Sequence, residues 1–141
     1  IITRMAYENL PPIPSSTPNH STRSEELRIF ARALYAHLTA PRTIALARMV
    51  LSEALRDQAC ASSLYDEMHV TAIEDLANVF ALWDQQGEAA IDDPRAAAEL
   101  FLTMLASDTQ MRALCTGTAD EPSHAELTWR RDIFLTHFKI D

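Results

Sequence analysis

The sequence predicts an all-α fold, an antiparallel bundle of about five to six helices. Three observations carry that expectation. Only two of the 141 residues are glycine, whereas strands and their tight turns consume glycine. No segment sustains the period-two alternation of a half-buried strand. Apolar residues instead recur at three- and four-residue spacing between Pro, Gly, Ser, Thr and Asp punctuation. A chain of this length suits one domain and buries roughly two thirds of its unfolded surface, so a self-sufficient core is possible.

Residues 1 to 10 carry Ile1, Ile2, Met5 and Leu10 at roughly helical spacing, and the chain opens without methionine. The opening reads as the tail of a helix already under way, hence as a fragment whose N-terminal part lies elsewhere. Residues 11–21 hold four prolines within eight positions and form a loop. A helix then starts at Thr22 or Ser24, with Glu25 and Glu26 in its first turn and Leu27, Phe30, Leu34 and Leu38 on one stripe. Pro41 opens the second helix at its tolerated first position. That helix is apolar over more than half its circumference, which predicts cover on two sides. A third helix from about Ala61 to Gln86 places Tyr65, Met68, Ala72, Leu76, Val79 or Phe80, and Trp83 on one face. Gly87 suits a left-handed cap, Ile91 pins the connecting loop, Asp92 or Asp93 caps the next helix and Pro94 opens it. Two helices follow, divided by the break TGTADEP.

The formal net charge of -8 repels phosphate backbones on average, so this chain is a poor nucleic-acid binder by itself. No apolar run of about 18 residues spans a membrane and no secretory leader is visible. Two cysteines, Cys60 and Cys115, without close spacing signal neither a disulfide scaffold nor zinc. They read as small buried or half-buried residues. The default compartment is the cytoplasm.

Catalysis needs a constellation, and none is complete. There is no GxSxG, P-loop, GxGxxG or HExxH. Asp66-x-x-His69 has the spacing used in di-iron bundles but lacks a second such pair and two further carboxylates. His124-x-Glu126 begins a deaminase-like motif without its PCxxC half. Glu53, five residues after Arg48 in an apolar helix, forms either a half-buried pair or the polar anchor of a pocket wall. Phe30, Met49, Tyr65, Met68, Trp83, Phe101 and Met104 are individually core residues, yet together they would suit an apolar ligand if a cavity lay among them. No catalytic residue, metal or cofactor is expected.

Three stretches taken together resemble the C-terminal regulatory domain of TetR-family transcriptional repressors of the AefR-like type: ALARMVLSEALRD, ALWDQQGEAAIDDPRAAAELFLTML and WRRDIFLTHF. The resemblance centres on residues 42–117 and implies a TetR C-terminal-like bundle over residues 22–141, with residues 1–10 as the end of a connecting helix. The helix-turn-helix of the family has no counterpart here, so DNA would be met only through that missing domain. The resemblance further implies a homodimer, with residues 94–115 and 123–138 as its interface and Leu100, Leu105, Trp129, Ile133, Phe134 and Phe138 as contacts. It implies a small, apolar effector in a pocket of Phe30, Leu34, Met49, Glu53, Tyr65, His69 and Trp83. The rival reading is a small helical-bundle enzyme of the di-iron or haem-handling kind; a third is a purely structural interaction domain.

Overall fold

The punctuation read from the sequence starts and stops helices in the computed structural model, which describes Pro14 and residues 22–117 and 124–141. Side chains of residues 68, 107, 108 and 124–126 are outside the description, as are the connecting-helix expectation for residues 1–10, the proline-rich loop apart from Pro14, and most of the TGTADEP break. The described residues form α1 (Arg23–Thr39), α2 (Pro41–Ala54), α3 (Gln58–Tyr65), α4 (Thr71–Gln85), α5 (Pro94–Thr116) and α6 (His124–His137). A π-helical turn, Asp66–Val70, joins α3 to α4. No strand occurs among them, and the all-α expectation holds.

Local chemistry explains each boundary. Thr22 caps α1 through a reciprocal box: Glu25 N–H donates to Thr22 Oγ1 at 3.3 Å and Thr22 N–H to Glu25 Oε2 at 3.4 Å. Ala40 alone separates α1 from α2, its extended backbone leading into Pro41 at the first turn. Asp57 caps α3 by accepting from Cys60 N–H at 3.0 Å, and Asp93 caps α5 by accepting from Ala96 N–H at 3.0 Å.

Gly87, at φ 75°, follows α4 in the left-handed conformation. Gly87 N–H reaches Asp84 C=O at 3.0 Å and Glu88 N–H reaches Trp83 C=O at 2.9 Å, the paired bonds of a Schellman ending. Lys139 repeats this device after α6 at φ 48°, with Lys139 N–H on Thr136 C=O and Ile140 N–H on Leu135 C=O. Leu135 and Ile140 are both buried there, supplying the accompanying apolar contact.

Helix α5 is the axis of the domain and packs on α1, α2, α4 and α6. Ala97 and Ala98 are fully buried on it, small enough to let neighbouring helices approach closely. All five phenylalanines of the chain join one aromatic cluster across four helices. Phe30 of α1 stacks on Phe101 of α5 at 6.1 Å between ring centroids. Phe101 meets Phe134 of α6 edge-on at 5.0 Å, and Phe80 of α4 lies 5.7 Å from Phe134. Burying each such ring contributes about 1.5–3 kcal/mol by transfer alone.

Three expectations change. The long third helix is interrupted by the π turn, which inserts one residue and rotates the preceding face by about 100°. Ile73, Leu76, Phe80 and Trp83 are accordingly buried after the turn, whereas Tyr65 before it is 56% exposed. Helix α2 is covered only in part: Ile44 and Leu46, about 200° apart around its axis, are buried, while Met49 and Leu51, and Leu55 just beyond its end, face outward. Cys60 and Cys115 are both exposed and unbridged, because they occupy the first turn of α3 and the last turn of α5, beyond the core-facing stripes.

Candidate functional site

The residues expected at the effector pocket divide between two regions. Phe30, Leu34 and Trp83 lie in the main core, at 7%, 5% and 0% exposure. Met49, Tyr65 and His69 are exposed on α2, on α3 and on the π turn, and Glu53 is half-buried on α2. The structure brings Tyr65 and His69 together, with ring centroids 5.0 Å apart, one helical turn from each other. Within the core, Phe30 is engaged by Phe101 and Trp83 by Phe80. Arg48 does not reach toward the core: its Nη1 stands 2.6 Å from where a side-chain carbon on Gly117 would be, beside the C-terminal end of α5. A cation there complements the helix dipole.

The residues expected at a subunit interface divide by helical phase. Leu105 and Phe134, each 1% exposed, close the protein's own core, and Phe138 is partly buried against it. Leu100, Trp129 and Ile133 point outward at 45%, 65% and 45%, joined by Met111. Helices α5 and α6 therefore carry two apolar faces, one filled from within and one uncovered among the described residues.

A polar centre missed by the sequence reading sits where α1 begins. Arg23 is 3% exposed. Its Nε donates to Glu88 Oε2, Nη1 donates to Glu26 Oε2 at 3.1 Å and Nη2 to Gln86 Oε1 at 3.4 Å. The guanidinium also lies 5.7 Å from the centre of the Trp83 ring. Donation of the Nε–H to the Glu88 carboxylate raises the Arg23 pKa further against the opposing desolvation, so the charge is fixed. The C-terminal residues close the same corner, since Asp141 N–H donates to Glu88 C=O at 3.1 Å and Ala90 N–H to Phe138 C=O at 2.7 Å. One signal was available: a cation in the first turn of a helix opposes the macrodipole and needs a partner.

Among the described residues no group of three His, Cys, Asp or Glu side chains is gathered as a metal ion would require, and Asp66 and His69 acquire no third ligand of those types. The His124-x-Glu126 pair falls on side chains outside the description. No helix among the described residues is long and apolar enough to cross a membrane.

The family model that matches this chain is the AefR-like transcriptional repressor C-terminal domain, aligned over residues 25–131 and thus over well more than half the length. The match supports a regulator's ligand-binding and dimerisation role for these helices. No curated protein and no solved structure matches the chain.

Proposed function

The chain belongs to the AefR-like C-terminal domain family of TetR-type transcriptional repressors, and we propose that it is the homodimeric, effector-sensing half of such a repressor. The observation that carries the dimer is the outward apolar face on α5 and α6. Leu100, Met111, Trp129 and Ile133 remain exposed although Leu105 and Phe134 beside them are fully buried. Four large apolar side chains on two adjacent helices are costly to leave in water, and a two-fold copy of the same face covers them as a four-helix arrangement.

In this reading a small, largely apolar effector binds on the side of the domain built by α1 to α4. Its candidate contacts are Phe30, Leu34, Met49, Glu53, Tyr65, His69 and Trp83. Binding moves the elements that lead to the DNA-reading domains and changes their separation, a switch that needs only about 1–3 kcal/mol of coupling. DNA is met through the helix-turn-helix part alone, in the cytoplasm, and this domain performs no catalysis.

Sedimentation equilibrium tests the first claim. A dimer is expected, burying roughly 2,000 Å² or more in total; a strict monomer at micromolar concentration overturns it. Thermal melting in the presence of small apolar molecules tests the second, because a ligand of the folded state raises the midpoint.

A further inference from the structure

We infer that Tyr35 is the polar handle of the effector site, and that the effector is an uncharged, mostly apolar molecule carrying a hydrogen-bond acceptor such as a ketone, ester or ether oxygen. The inference rests on the effector-binding reading above and adds the ligand's chemistry to it.

Tyr35 is 3% exposed and belongs to the main core cluster, yet its hydroxyl has no hydrogen-bond partner among the described residues. A buried phenol normally finds one, because an unsatisfied hydroxyl costs about 1–3 kcal/mol. Phenylalanine would supply the same ring without that cost. The chain uses Phe at four other buried core positions, so the oxygen here is not explained by packing.

Position favours a ligand role. Tyr35 follows Leu34 and shares the α1 stripe of Leu27 and Ala31, four and eight residues earlier. The helix that carries it packs on α2, which bears Met49 and Glu53, and on α5. The surroundings select against charge. Leu27, Ala31, Leu34 and the aromatic cluster are buried around this part of α1, and an ion placed there would lose its hydration without a compensating partner. A neutral acceptor that takes the hydroxyl hydrogen meets both conditions.

A matched pair of probes, ethylbenzene and acetophenone, separates this claim from the one beneath it. Both are titrated into the 141-residue chain and into Tyr35→Phe, with affinities taken from the rise in melting temperature. The acetophenone-to-ethylbenzene affinity ratio is expected to fall about fivefold in Tyr35→Phe, the weight of one neutral hydrogen bond. Without probe, Tyr35→Phe is expected to melt no lower than the parent. An unchanged ratio, with ethylbenzene still binding, overturns the handle alone: the hydroxyl then holds an ordered water only. If neither probe shifts either protein, the apolar-effector reading itself falls, and the handle with it. A Tyr35→Phe chain that melts markedly lower without probe shows a partner for the hydroxyl inside the protein and also overturns the assignment.

Discussion

Arg23 and Glu88, 65 residues apart in the chain, form a hydrogen-bonded ion pair that ties the first turn of α1 to the joint between α4 and α5. Glu26 lies on the same guanidinium with a side chain only 10% exposed. Removing the cation strands that carboxylate. Arg23→Met is therefore expected to destabilise the fold by about 2–4 kcal/mol in urea unfolding, the lower part of the cost of breaking a buried pair or somewhat below it, because the Glu88 side chain is 34% exposed. A second change, Glu26→Leu, should recover a good part of the loss, since apolar residues often replace a buried pair at little cost. An additive double-mutant cycle would show that the two side chains do not depend on each other.

Among the described residues, three occupy left-handed backbone: Gly87, Gly117 and Lys139. Open space surrounds Gly87, so Gly87→Ala tests the backbone term alone and should cost about 1 kcal/mol. Lys139 already bears that strain. Lys139→Gly is expected to stabilise the chain by roughly 0.5–1 kcal/mol, read as a higher denaturation midpoint at unchanged m-value.

His37, in the last turn of α1, has its pKa lowered from 6.5 by desolvation. The unfolded chain therefore binds this proton at higher pH than the folded chain. The stability that the neutral imidazole permits is present above the unfolded value and is lost as pH falls through the folded one. Between pH 7.5 and 5.5 the parent should lose more stability than His37→Gln. Equal slopes would show that the imidazole is solvated in the fold.

Ile133 and Phe134 are neighbours in sequence with opposite environments, 45% and 1% exposed. Phe134→Ala opens a hole in the aromatic cluster and should cost about 3–5 kcal/mol. Ile133→Asp should leave helicity and unfolding cooperativity nearly intact while dissociating the proposed dimer, seen as a halved mass in sedimentation. If Ile133→Asp keeps the mass of the parent, the outward face of α6 is not the interface.

Much of the fold was legible along the chain because helix boundaries are local chemistry. Thr22 with Glu25, Pro41, Gly87 and Asp93-Pro94 act within one turn of themselves, and each marks a boundary in the structure. The candidate site was less legible. Tyr65 and Trp83 follow one stripe in the sequence, but the π turn between them shifts the phase, and no residue pattern in DEMHV announces it. Apolar character alone could not sort Leu100 from Leu105 or Ile133 from Phe134, since helices with two apolar faces bury whichever face meets a neighbour first.

Composition, helical period and capping residues were enough to specify an all-α domain, for they act through the backbone over a few residues, while its place in a repressor family rested on the resemblance of three stretches. The closure of the corner around Arg23, the exposure of Met49 and both cysteines, and the orphaned hydroxyl of Tyr35 arose only when distant segments packed. The reason is that burial and hydrogen-bond satisfaction are properties of an environment made by several helices, and no single stretch of sequence contains that environment.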